Sequence, residues 1–233
     1  WDYWDMTIQR VLDWLSLKGN VALTHRTPDF DELYLQTETI RGNDDLDPER
    51  ATNWDAGLVA ESEDFPLSGT VVGFWTDMRE TILFVPVTAY RFEARNLQGA
   101  VARGLETAAK LELEPRWRTR LAYTWTDAYL RATPSTQLPH QPEHRANLTT
   151  RVEFAGMGPL EALESLQLTA AGDVRSRVNL DNFGNLTNPP FWQVDLGLRV
   201  APTSGLQVGI EARNITDNRR GADFLQRPLP GRS

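Results

Sequence analysis

Residues 192–200, WQVDLGLRV, place Trp192, Val194, Leu196, Leu198 and Val200 on one side of an extended chain and Gln193, Asp195, Gly197 and Arg199 on the other. A period of two is the pleat of a β-strand with one apolar and one polar face. The next run repeats it, with Leu206, Val208, Ile210 and Ala212 opposing Gln207, Gly209, Glu211 and Arg213. Working back toward the N-terminus, the same pattern predicts strands at 166–178, 146–154, 119–129, 97–113, 52–61 and 15–24. Segment 68–77 carries apolar groups on both faces, Val72 and Phe74 against Val71 and Trp75, which leaves its orientation open. Residues 3–11 alternate weakly and make one further candidate strand.

The connections obey a second rule. Short ones fall at 61–66, around Glu114 and Pro115, at 156–164 and at 202–205, and long ones at 25–50, 77–94, 131–143, 179–190 and 216–230. Strict alternation of tight turns and long loops is how outer-membrane barrels are built, and a soluble sandwich has no reason to sort its loops by parity. The fold class expected is therefore all-β, an antiparallel transmembrane β-barrel, in a single domain because no linker-like stretch interrupts the strands.

Composition agrees once the architecture is considered. With 40% hydrophobic and 24% charged residues and a mean hydropathy of −0.44, the chain resembles a water-soluble protein. A barrel strand exposes only alternate residues to lipid, so its average hydropathy stays low. No stretch approaches the roughly 20 apolar residues that a helical span needs. The eight Trp, nine Phe and five Tyr can supply interfacial girdles, and Trp54, Tyr123, Trp125, Tyr129, Phe191 and Trp192 fall near predicted strand ends. The same rings would also suit core packing in a soluble β-sheet protein. Without cysteine, neither disulfides nor cysteine-ligated metals are possible, and a net charge of −8 argues against a nucleic-acid partner.

Several motifs carry a family resemblance. Leu23, Thr24, His25, Arg26, Thr27 and Pro28, then Glu32, Leu33 and Tyr34, resemble a strand-to-loop segment of TonB-dependent outer-membrane receptors. Gly42, Asn43, Leu46, Pro48 and Glu49 resemble the family's "G-N-x-x-L-x-P-E" stretch, with Trp54, Asp55 and Gly57 entering the next strand. Asn96, Val101, Gly104, Leu105 and Glu106 resemble its "N…V…G-x-E" strand, and Pro139, Pro142 and His144 its "P-x-x-P-x-H" loop exit. Asn214, Ile215, Thr216 and Asp217 look like its "N-L-x-D" element, and Pro230, Gly231 and Arg232 like the "P-G-R" that opens the last strand. These motifs occur in the family's order and cover nearly the whole chain.

The resemblance implies a barrel of about 22 strands with a plugged lumen, of which this chain would supply about nine or ten as the C-terminal portion. No plug domain is expected within residues 1–233, and a closing strand would follow Ser233. The chain is thus expected to be a fragment, or to be completed by a second polypeptide; independent closure as a small barrel is the rival. The partners implied are outer-membrane lipid, the plug and remaining strands from the same gene or a second chain, TonB through the N-terminal part, and a small-molecule ligand. The implied function is TonB-energised uptake of a scarce nutrient such as an iron-siderophore complex, located in the bacterial outer membrane. The alternatives are a passive porin or small structural barrel, and a soluble β-sheet binding protein.

No bond-making chemistry is expected. His140 and His144 would have metal spacing only on a helix, and Pro139 and Pro142 argue for a loop. Paired acids such as Glu61 and Glu63, or Asp44 and Asp45, have no defined separation in space, and Ser176 falls on the predicted lipid side. No G-x-S-x-G elbow or phosphate-cradling loop occurs, and no cofactor is expected. Ligand contact, by contrast, is expected in loops. Tyr90, Arg91 and Phe92 in one and Gln137, His140 and Gln141 in another are the candidates. Pro48, Glu49, Asn96, Gly104, Glu106, Asn214, Asp217, Gly231 and Arg232 are expected to serve barrel geometry. Arg103 shares the apolar face of Leu97, Val101, Leu105 and Leu111, where an arginine at mid-bilayer costs roughly 2–4 kcal/mol. It is expected at the outer interface or above it.

Overall fold

The computed structural model describes residues 3–62, 64–97, 99–113, 116–155, 163–181, 184–203 and 205–219. In chain order these form β1 (Tyr3–Leu12), β2 (Leu15–Arg26), a short helix α1 (Phe30–Tyr34), β3 (Ile40–Arg41), β4 (Glu49–Ala60), β5 (Leu67–Arg79), β6 (Thr81–Pro86) and β7 (Phe92–Leu97). There follow β8 (Ala100–Leu113), β9 (Trp117–Leu130), β10 (His144–Phe154), β11 (Ser165–Arg175), β12 (Val178–Asn179), β13 (Thr187–Asn188), β14 (Phe191–Thr203) and β15 (Leu206–Ala212). Ten of the strands make one sheet in the order β1-β2-β4-β5-β8-β9-β10-β11-β14-β15, every neighbour antiparallel. Each of the ten thus pairs with the next of the ten in sequence, and among the described residues the sheet is open, with β1 and β15 as its edges. Long connections gather at one end and tight turns at the other, as the loop lengths predict.

The register divides this wall into two chemically distinct faces, because directly opposed residues share a side. One row runs Leu17↔Leu58, Leu58↔Val71, Val71↔Thr107 and Thr107↔Tyr123. Further along the same face are Leu121↔Leu148, Val152↔Leu168, Leu168↔Leu198 and Leu198↔Ile210. Those leucines, Val71 and Ile210 are exposed, Ile210 to 69%. So large a contiguous apolar surface is a lipid interface. The opposite face carries Lys18, Asn20, Asp55, Thr70, Glu106, Arg120, Asn147, Asp173 and Arg199, the polar lining of a lumen.

Rings and charges mark the long-loop edge of the lipid belt. Trp54, Trp75, Arg103 and Asp127 are successive partners across β4, β5, β8 and β9. The two indoles stack at 6.2 Å, the Arg103 guanidinium lies 5.6 Å from the Trp75 ring centre, and its Nη2 is 2.8 Å from Asp127 Oδ2. Arg103 therefore sits near the long-loop end of β8 with its charge paired, at the interfacial level expected of it. Trp14, Phe65 and Trp117 supply aromatic rings at the tight-turn end.

Glycine settles the segment that alternation leaves open. Val72 and Phe74 turn to the lumen, where Val72 is only 8% exposed, while Val71 and Trp75 face lipid. Val72 is opposed by Gly57, and Phe74 by Gly104. A Cβ on Gly104 would stand 2.1 Å from the Trp125 carbonyl oxygen and 2.6 Å from the Phe74 ring. The missing side chain is thus the hollow that accepts the aromatic, a device that lets a bulky inward residue lie flat on a sheet.

Three boundaries differ from the alternation. The run 97–113 is two strands, because the backbone turns at Gly99, with φ +97, and Leu97 belongs to β7 in a separate sheet of order β3-β7-β6. The run 166–178 ends at Arg175, and Val178 pairs instead with Asn188 in the small β12-β13 ladder. Strand β1 inverts the parity: Met6 and Ile8 oppose Asn20 and Lys18 on the lumen side, while Thr7 and Gln9 oppose Gly19 and Leu17. A one-residue change of register exchanges the faces of a whole strand, which is why its sequence pattern does not match its neighbours.

Replacing Gly104 with Val should destabilise the barrel by about 1–3 kcal/mol, since the clash is with backbone and an inward-packed ring. Gly19→Ala, where the nearest atom to a new Cβ is 3.8 Å away, should be neutral. The temperature of the gel-mobility shift that reports barrel unfolding distinguishes the two variants.

Candidate functional site

The long loops are built structures. Arg26 ends β2 and Glu49 begins β4 as direct partners, and Arg26 Nε donates to Glu49 Oε2 at 2.7 Å. The other guanidinium nitrogens grip Glu32 in a two-pronged contact at 2.9 and 3.0 Å. Glu32 also accepts the Asp29 amide at 2.7 Å, closing a capping box on α1. The second oxygen of Glu49 accepts the amide of Ile82 from the next loop at 2.7 Å. Around this polar hub pack Leu46, Ile82 and Ala94, with Leu33 and Phe84 against them. One arginine thereby ties two loops to the barrel rim through planar contacts that a lysine could not reproduce.

Asn96 completes the hub. Its Oδ1 accepts the Asp47 amide at 2.8 Å, and its Nδ2 donates to the carbonyls of Asp47 and Glu80 at 2.9 and 2.8 Å. Gly42 lies where a Cβ would meet the Leu33 backbone at 2.7 Å. Parallel pairing of Ile40 with Phe92 then knits the two loops together. The segments 23–34 and 42–49 and Asn96 thus form one scaffold. Glu49 lies five residues beyond Trp54 along β4, about 16 Å above the indole row and clear of the hydrocarbon. Partial burial pushes its carboxyl up, but the Arg26 and Ile82 hydrogen bonds prevail and hold it below its usual range; the same carboxylates, Glu49 before Glu32, raise Arg26.

Two further loops are stitched to each other. The Asn179 carbonyl accepts the His140 amide, and its side chain donates to the Gln137 carbonyl, both at 2.8 Å. Near the last described residues, Asn214 and Asp217 adopt left-handed φ of 49° and 47°, a conformation asparagine and aspartate tolerate. Asn214 donates its amide to Asp195 at 2.7 Å and its side-chain Oδ1 accepts from Thr216 and Asn218. Asn218 in turn donates to the Trp192 carbonyl at 2.8 Å.

Of the residues predicted to touch ligand, Tyr90 and Arg91 occupy the tip of the β6-β7 hairpin, Tyr90 at 83% exposure, and Phe92 opens β7. Gln137 is engaged differently: its side chain bonds the backbone of Thr126 and Ala128 on β9. His140 holds a left-handed turn with φ 60, and Gln141 is exposed beside it. His144 is not on a helix with His140 but opens β10, with Nδ1 2.9 Å from the Tyr123 hydroxyl. Ser176 lies just past β11, its hydroxyl accepting the His144 amide at 3.0 Å. Pro48 precedes β4, and Glu106 lines the lumen opposite Val72. Gly231 and Arg232 lie outside the described residues.

Loop reading misses the lumen wall. At its long-loop end Arg145 opposes Arg175, and Arg175 opposes Phe191, over whose ring its guanidinium lies at 4.9 Å. Asp173, Gln193 and Asp195 lie on the same inner face. Strand parity alone would have marked them as polar residues facing the route that a ligand entering the lumen would take.

A model of the family described as "TonB dependent receptor-like, beta-barrel" matches residues 4–215. The chain belongs to the TonB-dependent receptor β-barrel family. Membership makes it an outer-membrane protein of a family of transport receptors rather than enzymes. Solved structures with the same fold include the copper transporter OprC, with a TM-score of 0.76 and 18% identity over 98% of this chain and 37% of that one. The ferric-catecholate import receptor Fiu of E. coli K12 matches with a TM-score of 0.76 and 16% identity over 99% of this chain and 33% of its own. The siderophore receptor PirA of Acinetobacter baumannii matches with a TM-score of 0.76 and 15% identity over 100% of this chain and 40% of its own. The chain therefore spans between a third and two fifths of the length of these three proteins. No curated protein matches it in sequence.

Replacing Glu49 with Gln removes the anion between Arg26 and the Ile82 amide, and should loosen loops 27–48 and 80–99 by about 1–2 kcal/mol after allowing for partial exposure. Faster protease cleavage of these loops on intact cells, with unchanged barrel melting, is the expected result. Because the Glu49 pKa is depressed, its contribution is fully present above the ordinary carboxylate value of about 4.3 and is lost as pH falls below it. The native protein should then show the same accelerated cleavage under acid conditions.

Proposed function

We propose that the chain is the C-terminal part of the barrel of an active-transport receptor, which takes up a scarce nutrient such as an iron-siderophore complex when energised by TonB. In this reading a plug domain and the remaining strands come from the same gene or a second chain. The observation that carries it is the rigid loop platform above a polar, charged lumen wall. Holding two loops by Arg26, Glu49, Glu32 and Asn96 keeps a recognition surface in place between binding events. Ligand would be gathered at exposed hairpin tips and passed toward the inner face; no bond is made or broken.

Tyr90, Arg91 and Phe92 are the strongest ligand contacts in this scheme, since an aromatic-cation-aromatic run at a supported tip suits a bulky, anionic cargo. His140 and Gln141 lie on the neighbouring loop system, and Gln137 would act by holding that loop. Iron-siderophore cargo is chosen because it is what Fiu and PirA are named for.

A strain lacking the gene should fail to grow under iron limitation on the cognate siderophore, and restoring the gene should rescue growth only when TonB is present. Rescue without TonB, with ion conduction by the purified protein in planar bilayers, would instead indicate a passive porin. Tyr90→Ala with Arg91→Ala should weaken ligand binding by about ten-fold, as for two contact residues of ordinary strength, without changing barrel melting.

A further inference from the structure

The lipid face is not even. Near its tight-turn end three neighbouring strands lay small residues side by side: Ala60 on β4 opposes Gly69 on β5, and Gly69 opposes Ala109 on β8. A Cβ on Gly69 would stand 3.0 Å from the Ala108 carbonyl oxygen, so the backbone itself keeps this floor bare. Leu15 and Leu121 close the row at its two ends as the partners of Ala60 and Ala109. Leu58 and Val71 stand one row toward mid-bilayer, and the rings of Trp14 and Phe65 stand at the turns. Together they enclose an apolar hollow of about 640 Å³ that runs from the rim of the wall into the hydrocarbon belt.

The mouth of this hollow is fixed and polar. The Glu61 amide donates to the Trp14 carbonyl at 2.8 Å, which ties together the two turns that carry the rings. Trp14, Glu61 and Ser62 line both the hollow and an adjoining recess that holds Arg10, Asp13 and Asp64. Three carboxylates thus stand against one guanidinium, and among the described residues none of the four charges is in an ion pair.

The hollow is continuous with the surface that meets lipid, and walls left unfilled would forfeit their dispersion contacts, so a flexible acyl chain is the filling that the membrane supplies. At the mouth the excess of carboxylates attracts an ammonium and repels a net anion, while Arg10 suits a phosphate. Tight turns face the periplasm in outer-membrane barrels, which puts the hollow in the inner leaflet.

We infer that this hollow is a binding site for a zwitterionic phospholipid of the inner leaflet, with one acyl chain over Ala60, Gly69 and Ala109 and its ammonium headgroup held by Asp13, Glu61 and Asp64. Such a site needs only the membrane-facing wall and is independent of what the receptor transports.

The test uses the full-length receptor in detergent, titrated with phosphatidylethanolamine or phosphatidylglycerol of identical acyl chains, with retained lipid read by native mass spectrometry. The native protein should hold phosphatidylethanolamine about five-fold more tightly, the effect of one partly exposed charge contact. Ala60→Leu with Ala109→Leu, which fills the hollow, should weaken retention by about ten-fold, as when roughly two methylenes lose apolar contact. Glu61→Gln with Asp64→Asn should erase the preference between the two lipids. Should the leucine pair fail to assemble, Ala60→Val alone and the lipid preference of the native protein decide the matter. Equal retention of both lipids by the native protein, or native retention by the assembled leucine pair, overturns the inference. A dimer that carries no lipid also overturns it, in favour of a second copy seated on this face.

Discussion

A backbone amide or carbonyl facing hydrocarbon has no water to bond, and each one left unpaired costs several kcal/mol. The antiparallel pairing of consecutive strands is the response to that constraint, and it dictates much else in this wall. Once each strand must be laced to the next, parity assigns every side chain to lipid or lumen, with no third option. Bulky residues on the lumen side must then be fitted in place, which is why Gly57 and Gly104 stand opposite Val72 and Phe74. Beyond the hydrocarbon the constraint lapses. There the chain uses a parallel pair, Ile40 with Phe92, and left-handed turns at His140 and Asn214 that the strands themselves do not contain.

The same constraint explains how much could be read in advance. Strands β14 and β15 were legible because each has a greasy face and a polar face, so local chemistry and global orientation agree. Strand β5 was not, because its inward apolar groups depend on glycines located in β4 and β8, which only the register brings opposite. The break at Gly99 was hidden for a related reason: Leu97 continues the apolar alternation of β8 while belonging to another sheet, and a left-handed φ is invisible to a period-two pattern. In β1 the pattern and the pairing disagree outright.

The candidate site was legible only in part. Motif residues such as Glu49, Asn96 and Asn214 are expected from the sequence to be architectural; in the structure Glu49 accepts the Ile82 amide, Asn96 donates to the Glu80 carbonyl and Asn214 accepts the Asn218 amide. What the sequence could not supply was the identity of their partners: Glu49 lies 23 residues from Arg26, and only folding joins it to Arg26 and Glu32 in one ion network. Gln137 shows the converse difficulty. As an exposed-looking loop amide it suggested recognition, yet its side chain is spent on the backbone of β9.

Charge in this protein is sorted by height as well as by face. At the rim, Arg26 meets Glu49 and Glu32, and in the interfacial row Arg103 meets Asp127, so those cations are matched within the chain. An arginine on the lipid side must be matched this way, because no mobile ion will follow it toward hydrocarbon. The lumen wall is under no such obligation, since water or another protein surface can reach it. It is there, at the tight-turn end, that among the described residues Arg120, Arg151 and Arg199 form no direct ion pair, although Asp195 and Glu211 line the same hollow as Arg151 and Arg199. Among the described residues, pairing therefore tracks what each surface can recruit from outside: Arg103 is matched where lipid is the neighbour, and the cations facing the interior of the barrel are matched only in part.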